Sequence, residues 1–339
     1  VEMTAAILQA AGIKAVACGN VGDTVIDAVD RDDAYEVLVV ELSSFQLHWA
    51  RQAHFEAAAI LNIADDHLDW HGSFDAYADA KFSILDRAEI AILNADDAPV
   101  VTRANRFTGR KVFFSLDTPA PGEIGVVEEL LVDRAFVSDP QQAAMICELS
   151  DIVPTVPHNV SNALAAAALA RAINVPHEAI QKALHDFRPG RHRIETVHEA
   201  DGITWVDDSK ATNPHAAAAS LMSHLSVVWI AGGLAKGADM DAMVERCAPR
   251  MKAAILIGTD RALIEAALIK HAPELPRILI DAPGDYVRGG ASNSLMESIV
   301  TAAVAVAQSG DAVLLAPACA SMDQFVSYAD RGDRFAAAV

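Results

Sequence analysis

The chain has 339 residues, which is too long for one compact core and predicts two domains. It carries 26 Lys and Arg residues against 46 Asp and Glu, a net charge of −20, which excludes a general role in binding nucleic acid or an anionic membrane. The hydrophobic fraction is 52% but the aromatic fraction is only 6%. That balance favours buried parallel strands covered by helices rich in small residues.

The cysteines and the N-terminal segment bear on the cellular compartment. The four cysteines are scattered without a C-x-x-C pair or a metal-ligand spacing, so we expect buried thiols in a reducing compartment. Residues 1–11 have an amphipathic helical pattern without the basic segment of a signal peptide, and no apolar run is long enough to span a bilayer. We therefore expect a cytoplasmic protein that does not insert into membranes. We also expect a monomer.

Strand-like and helix-like runs alternate along the first half. Strands are predicted at residues 37–42, 58–63, 90–94 and 111–115, followed by short antiparallel strands at 123–137. Helices are predicted at residues 74–85, 161–173 and 177–187. The charged break at residues 188–191 is the predicted boundary, which gives domains 1–188 and 189–339.

The second half alternates more regularly. Strands are predicted at residues 203–206, 227–231, 253–257, 277–280 and 312–315, and helices at 214–223, 240–247, 261–270 and 294–308. Alternating β and α elements predict an α/β protein with a doubly wound, parallel sheet in each domain.

Polar residues follow the early strands. Glu41 ends the first predicted strand, where an oxygen ligand for Mg²⁺ belongs, although a solvated acid explains it equally well. The next strand leads into Asp65, Asp66 and His67, which we expect at the same sheet edge and which favour a metal or phosphate site. Lys81 lies in a predicted helix, where a lone lysine is ordinarily solvated or ion-paired.

Two further segments leave their roles open. Asn159 and Asn162 lie where the Ala-rich helix is predicted to start, so they either cap the helix or contact an adenine edge. Arg193 follows the predicted boundary, and it either binds phosphate or pairs with the acidic surface.

Three strand ends of the second half carry cations or hydroxyls. Residues 207–213 offer Asp208, Lys210 and Thr212, although an ordinary loop with a helix cap has the same composition. The glycine-rich turn at residues 232–237 contains Lys236, which suits an anion, although a plain turn is an equal alternative and the spacing is not that of a Walker A loop. Ser321 follows the last strand. Together these ends suit a small dianionic or dicarboxylate substrate.

These segments together resemble the Mur ligases of peptidoglycan synthesis. The matching runs occur in the family's order over essentially the whole chain: VELSSFQL at residues 40–47, DHLD at 66–69, DSKATN at 208–213 and PACASMDQF at 317–325. The runs LSSFQ and ACAS-x-DQF are typical of the members that add D-glutamate.

The resemblance implies a fold and an activity. It implies a partial P-loop-type ATPase domain followed by a Rossmann-like domain that binds an amino acid. It also implies ATP-dependent ligation of D-glutamate to UDP-N-acetylmuramoyl-L-alanine through an acyl phosphate, with two Mg²⁺ ions.

The resemblance also implies roles for individual residues. The metal ligands would be Glu41, His67 and Lys81, with Lys81 carried as a carbamate, and Lys210 would join them in catalysis. The nucleotide contacts would be Asn159, Asn162, Arg193 and Asp208. The substrate contacts would be Ser43, Thr212, Lys236, Ser321 and Tyr328.

Two departures from the family pattern matter. Tyr328 stands where the family usually carries Phe. The chain also begins after the point at which the family's phosphate loop ends, and both of its ends look cut. We therefore expect the chain by itself not to turn over.

Three alternatives remain. Another member of the same superfamily would add a different amino acid. A non-catalytic binding module would have lost part of the acid, His and Lys set, which is present. A dinucleotide-dependent dehydrogenase needs a G-x-G-x-x-G after a strand, and the sequence has none.

Overall fold

A computed structural model of the chain describes residues 1–20, 22–50, 52–64, 67–139, 141–281 and 293–339, without the side chains of residues 68 and 69. It folds as two compact units, Val1–Arg188 and Pro189–Val339. Each unit is an α/β fold built on mainly parallel strands, which confirms the predicted fold class.

The strands of the first unit form two sheets. They are β1 (Ala15–Gly19), β2 (Val37–Glu41), β3 (Phe55–Ile60), β4 (Ala88–Asn94), β5 (Arg110–Phe114), β6 (Ile124–Val127), β7 (Leu130–Asp133) and β8 (Ala144–Glu148). β1 and β2 pair in parallel as a two-stranded sheet, and β3 to β8 form a six-stranded sheet in sequence order. Its strands are parallel from β3 to β6 and antiparallel from β6 to β8.

Helices cover both faces of the larger sheet. The helices of the unit are α1 (Glu2–Ala10), α2 (Val25–Val29), α3 (Ser44–Trp49), α4 (Leu68–His71), α5 (Phe74–Phe82), α6 (Ala98–Ala104), α7 (Pro157–Ala172) and α8 (His177–Asp186). Ile92 of β4 packs in one core with the alanines of α7, whereas Ala91 and Leu93 pack in a second core with Tyr77 of α5 and Val100 of α6. This alternation follows from the two-residue period of a strand.

The second unit is built on one six-stranded sheet. Its strands are β9 (Glu195–Ala200), β10 (Ile203–Asp207), β11 (Val227–Gly232), β12 (Met251–Ile257), β13 (Arg277–Leu279) and β14 (Ala312–Leu315). The order is β13-β12-β11-β14-β10-β9, and only β9 runs antiparallel to its neighbour. The order places the carboxyl ends of β10, β14 and β11 side by side.

Both faces of this sheet are covered. The helices are α9 (Pro214–Met222), α10 (Asp241–Cys247), α11 (Arg261–His271), α12 (Asn293–Val306) and α13 (Tyr328–Ala338). Within β11, Val228 and Ile230 join the core that contains α12 and α13, whereas Val227 and Trp229 join the core that contains α9, α10 and α11. A strand buried on both faces needs apolar residues throughout, as β11 has.

The sequence locates most strands of the described residues but misses several elements. β1 precedes the strand at residue 37 that we predicted as the first, and β3 begins and ends three residues before its predicted bounds. The elements β8, β9, α2, α3, α4, α6 and α13 were not predicted. β9 escapes detection because it is a polar strand at the sheet edge, with four of its six residues exposed.

The start of α7 corrects one prediction. The helix begins at Pro157, with Val156 as an extended residue before it, and Asn159 and Asn162 therefore lie inside the helix. The interpretation of these asparagines as N-caps is wrong. Pro at the first helical position supplies the start, because its fixed φ fits the helix and its missing N–H has no partner to lose there.

Two general expectations can be compared with the structure. All four cysteines are buried free thiols, as the sequence predicts. Among the helices in the described ranges, none combines the length and the apolar character needed to cross a bilayer.

A buried carboxylate ties the antiparallel end of the first unit to its helices. Asp133, at the end of β7, accepts hydrogen bonds from the N–H groups of Ala135 (2.8 Å) and Phe136 (2.9 Å) and from Arg171 Nε (3.2 Å). Its other contact is His177 Nε2 at 2.9 Å. Burial opposes ionisation, but these bonds outweigh burial and lower the pKa of Asp133 below its ordinary value.

We predict that Asp133→Asn lowers the free energy of unfolding of the first unit by about 3 kcal/mol, because Arg171 then loses a buried anionic partner. A carboxylate whose folded pKa is lowered stabilises the fold above its unfolded pKa. The difference between wild type and variant should therefore be full above about pH 4 and shrink as the pH falls further. Calorimetry of both proteins across this pH range measures the difference in their free energies of unfolding.

The matched control is Asp32→Asn, which removes an exposed carboxylate of the same unit. It should change stability by no more than about 0.5 kcal/mol. A difference for Asp133→Asn that persists unchanged at pH 3 would contradict the assignment.

Candidate active site

Glu41 is held at the carboxyl end of β2. The backbone N–H of Asn20 donates to the Glu41 carbonyl oxygen (2.9 Å), and Asn20 Nδ2 donates to Glu41 Oε1 (3.4 Å). Gly19 allows this approach, since a Cβ there would lie 2.2 Å from the Glu41 carbonyl oxygen. The Glu41 side chain is partly exposed, so its carboxylate is available to a ligand.

Ser43 is the N-cap of α3. Its hydroxyl accepts from the Gln46 N–H (3.2 Å) and donates to Gln46 Oε1 (3.0 Å), and that oxygen also accepts from the Ser43 N–H (2.9 Å). This capping box occupies the hydroxyl that we assigned to substrate. The neighbouring hydroxyl of Ser44 contacts His71 Nε2 at 2.9 Å and so joins α3 to α4.

Aromatic rings connect two of the three residues that we assigned to metal, His67 and Lys81. His67 is exposed and has a φ of +52°, and its ring meets Phe45 edge-on at 4.8 Å between centroids. Phe45 also meets His71 (5.8 Å), which meets Tyr77 (5.3 Å), and Lys81 Nζ lies 5.9 Å from the Tyr77 ring centroid. We missed one signal in the sequence, which is the set of aromatic and histidine residues at positions 45, 48, 49, 70, 71 and 77.

Other members of the predicted metal segment are not described. Asp65 and Asp66 lie outside the described residues, as does the side chain of Asp69. β2 and β3 also belong to different sheets, so the expectation that Glu41 and this segment share one sheet edge was wrong. Contacts from α3 to α4 and α5 bring these segments together instead.

The two asparagines of α7 differ in burial. Asn159 is buried, and its Nδ2 donates to the carbonyl oxygen of Pro154 (2.9 Å). Asn162 is exposed about one turn later on the same helix. Their spacing of three residues puts both side chains on neighbouring positions of one helix face.

Three loops of the second unit meet at one edge of its sheet. The N–H of Ala318 donates to the Ala211 carbonyl oxygen (3.0 Å), while Leu234 and Ala320 exchange backbone hydrogen bonds of 2.9 Å. The three loops carry the side chains that we assigned to substrate, namely Lys210 and Thr212, Lys236, and Ser321. Lys236 is exposed with a φ of +51°, Thr212 is half-buried, and Ser321 is buried.

Lys210 and Tyr328 are in direct contact. Lys210 Nζ donates to Tyr328 Oη (3.0 Å) and lies 4.4 Å from the centroid of the same ring. Such a cation–π contact fixes an ammonium group without neutralising it. The structure thus joins two predicted site residues that lie 118 positions apart.

Arg331 is a part of this edge that the sequence did not reveal. Its side chain is fully buried, and Nε and Nη2 donate to Ser209 Oγ (2.8 Å) and to the Ser209 carbonyl oxygen (2.9 Å). Nη1 donates to the Cys319 carbonyl oxygen (3.3 Å). Arg331 therefore ties the loop of Lys210 to the loop of Ser321. Its position in α13, an element not predicted, explains why it was missed.

Asp208 is a buried carboxylate that directly follows β10. Burial raises the pKa of Asp208 to about 6, and the charge of Asp207 adds to the effect, while the Ser220 hydroxyl, the Ile194 N–H and the charge of Arg193 oppose it. The Ile194 N–H donates to Asp208 Oδ1 at 3.3 Å. Arg193 and Asp208 are the two predicted nucleotide contacts that belong to this unit.

The neighbouring acid, Asp207, belongs to a separate cluster. His192 Nδ1 lies 2.6 Å from Asp207 Oδ2, and the His192 N–H donates to Glu195 Oε2 (2.9 Å). In the described part of the chain, these are the only three His, Cys, Asp or Glu residues whose ligand atoms all lie within 4.8 Å of one another. Gly332 closes over it, since a Cβ there would lie 2.2 Å from His192 Nδ1. The group is tightly packed, and it is not the metal set that we predicted.

Comparison with known proteins places these residues in a family. Residues 2–170 match the Mur ligase middle domain, and residues 192–319 match the Mur ligase glutamate ligase domain. A UDP-N-acetylmuramoylalanine--D-glutamate ligase of Streptomyces avermitilis is 51% identical over 345 residues, covering 100% of this chain and 72% of the relative. Another of the same name from Thermobifida fusca is 50% identical and covers 99% and 72%.

Solved structures share the fold at low sequence identity. A pseudomurein peptide ligase type C from Methanothermus fervidus superposes with a TM-score of 0.69 at 17% identity, covering 99% of this chain and 75% of the other. MurF ligase from Thermotoga maritima, in complex with ADP, gives 0.65 at 16% identity, with coverage of 99% and 76%. The sequence matches and the shared fold agree, and the chain belongs to the Mur ligase family of ATP-dependent, amide-forming ligases of peptidoglycan synthesis.

Proposed function

We propose that the protein adds D-glutamate to UDP-N-acetylmuramoyl-L-alanine in an ATP-dependent reaction. The observation that carries this proposal is the 51% identity, over the whole chain, to a relative named for that activity. The geometry of the second unit supports it, because three loops bring Lys210, Lys236 and Ser321 to one sheet edge. Two lysines and a hydroxyl suit an amino acid with two carboxylates.

The reaction balances through an acyl phosphate. A carboxylate oxygen of the alanine attacks the γ-phosphorus of ATP, and ADP leaves. The amine of D-glutamate then attacks the acyl carbon, loses a proton, and displaces phosphate to leave an amide. Lys210 and Ser321 are proposed to bind the carboxylates of D-glutamate and to orient its amine, together with Thr212, Lys236 and Tyr328. A fixed cation beside the developing oxyanion lowers the barrier.

The first unit is proposed to supply the metal and nucleotide side of the reaction. The partly exposed carboxylate of Glu41 is the kind of oxygen donor that Mg²⁺ prefers, and His67 and Lys81 are proposed to serve a second ion. Lys81 as an ammonium cannot bind a cation, so it fits this role only as a carbamate. Bound Mg²⁺ would offset the charge of the ATP phosphates. Asn159 and Asn162 are proposed to contact the nucleotide.

Asp208 and Arg193 complete the proposed nucleotide contacts. A buried carboxylate with a raised pKa, which costs stability at neutral pH, is typical of a site retained for function. The four free thiols support our proposal of a cytoplasmic location. A monomeric state and the role of Ser43 in substrate binding remain predictions, and the occupied hydroxyl of Ser43 argues for a positioning role.

The first prediction from the proposed function concerns the amino acid that the enzyme adds to its substrate. The full-length gene product should release phosphate from ATP and UDP-N-acetylmuramoyl-L-alanine with D-glutamate, and not with L-glutamate, L-alanine or meso-diaminopimelate. Lys210→Met should lower this rate by at least about 100-fold, because an oriented cation is lost. The matched control, Lys270→Met, removes an exposed lysine of the same unit and should retain activity. A preference for any other amino acid would overturn the proposal.

The second prediction concerns Lys81. Lys81→Ala should abolish turnover, and a short carboxylic acid such as propionate should partly restore it, because its oxygens replace those of the carbamate. Steady-state phosphate release with and without the acid measures the effect. Lys182→Ala, which removes an exposed lysine of the same unit, should show neither loss nor rescue. Full activity of Lys81→Ala would remove this lysine from the mechanism.

The third prediction concerns Asp208. The folded state binds the Asp208 proton more tightly than the unfolded chain does, so the stability of the second unit falls as the pH rises from about 4 to about 6. Asp208→Asn should therefore raise its free energy of unfolding at pH 7.5 by up to ~3 kcal/mol. The same variant should lose activity, because the nucleotide contact is lost.

Calorimetry tests the predicted gain in stability, and phosphate release tests the predicted loss of activity, on the same preparations of Asp208→Asn. Glu199→Gln removes an exposed acid of the same unit and should change neither stability nor rate. A less stable Asp208→Asn at pH 7.5, or a fully active one, would count against the assignment.

A further inference from the structure

Two tryptophans of the first unit expose their indole rings. Trp49 is 72% exposed and Trp70 is 46% exposed, whereas Trp205 and Trp229 in the second unit are buried. Aromatic rings ordinarily contribute to a core, and exposed groups of them mark binding sites. None of the roles proposed above uses these two rings.

Neighbouring rings hold the two tryptophans in place. His48 lies between them, with its ring centroid 4.9 Å from Trp49 and 5.2 Å from Trp70, both edge-to-face. Trp70 also meets Phe45 (4.9 Å) and His71 (4.5 Å) edge-on. A ring supported on several sides loses little conformational entropy when a ligand stacks on it.

The same rings place the tryptophans beside the proposed metal ligands. Phe45, which contacts Trp70, also contacts the His67 ring at 4.8 Å. On the other side, His71 connects Trp70 to Tyr77, over which Lys81 lies. A substrate whose carboxylate reaches the ion that His67 and Lys81 are proposed to hold would place its neighbouring groups close to the Trp70 ring.

We propose that Trp70 and Trp49 form a stacking platform for the sugar ring of the nucleotide-sugar substrate. The inference rests on the proposed function, in which the reacting alanine is attached to that sugar. One face of a pyranose presents C–H groups, which suit the negative face of an indole. The contact needs no cation, so it fits a chain with a net charge of −20.

Steady-state kinetics of the full-length enzyme tests the platform. Trp70→Ala should raise KM for UDP-N-acetylmuramoyl-L-alanine about tenfold, the effect of one lost stacking contact, while KM for ATP and for D-glutamate stays within about twofold. Trp70→Phe, which keeps a ring, should recover most of the loss. An unchanged KM for the sugar nucleotide, or an equal rise for all three substrates, would overturn the proposal.

Two further variants guard against a folding defect. Leu225→Ala, which truncates an exposed apolar side chain of the second unit, should leave all three KM values unchanged. Trp49→Ala changes a more exposed ring and should raise KM for the sugar nucleotide about threefold with a wild-type circular dichroism spectrum. If Trp70→Ala does not fold, a wild-type KM in Trp49→Ala overturns the proposal.

Tryptophan fluorescence identifies which part of the substrate occupies the platform. Acrylamide quenches exposed indoles, and within this chain Trp205 and Trp229 are buried. The quenching that disappears in Trp70→Phe and in Trp49→Phe therefore reports Trp70 and Trp49. UDP-N-acetylmuramoyl-L-alanine should protect them, and UDP alone should not. Equal protection by UDP would assign the rings to the base and overturn the sugar assignment.

The two hypotheses fail in different ways. An enzyme that ligates D-glutamate, but whose KM for the sugar nucleotide is unchanged by Trp70→Ala, keeps the proposed function and loses the platform. An enzyme that does not use D-glutamate loses the proposed function, and protection by the sugar nucleotide then decides the platform alone.

Discussion

The buried guanidinium of Arg331 is the contact on which the polar edge of the second unit depends. Burial lowers the pKa of Arg331 to about 10, since removing a cation from water is costly. The fold offsets that cost with acceptors on two loops, Ser209 and Cys319, and those loops are thereby fixed relative to α13. Ser209 Oγ in turn donates to the Tyr328 carbonyl oxygen (2.7 Å), and Tyr328 holds Lys210. A buried interaction thus determines where a partly exposed lysine lies.

The first unit positions its polar residues by different means. In its candidate site a capping box fixes α3, and aromatic contacts connect that helix to α4 and, through His71, to Tyr77 of α5. Such contacts carry no charge, and the Glu41 carboxylate remains partly exposed beside them. The hydrogen bond between Ser44 and His71 also orients α3 relative to α4, because a hydrogen bond is directional. Aromatic contacts set position here, as the guanidinium does in the second unit.

The sequence predicts those parts of the fold that depend on local apolar runs. β14 has its predicted bounds, and β10 and β11 each extend only one residue further, because strands buried on both faces are continuous apolar segments. The convergence of Lys210 and Ser321 follows from the shared carboxyl edge of parallel strands. The sequence does not reveal strand order, however, so the role of Arg331, which depends on tertiary packing, was not predictable. The capping role of Ser43 was not predicted either, because the resemblance had assigned this residue to substrate.

The charge distribution explains how so acidic a chain can attract anionic substrates. A net charge of −20 repels phosphates and carboxylates at long range, so attraction must come from cations whose charge is not cancelled nearby. In the part of the chain that the structure describes, Lys210 hydrogen-bonds to a neutral group, the phenol of Tyr328. By contrast, lysines away from this edge, such as Lys252 and Lys270, are paired with carboxylates. Since a cation with neutral partners retains its full charge, a bound carboxylate gains the whole interaction. The restraint of Lys210 by an aromatic ring therefore contributes to binding as well as to geometry.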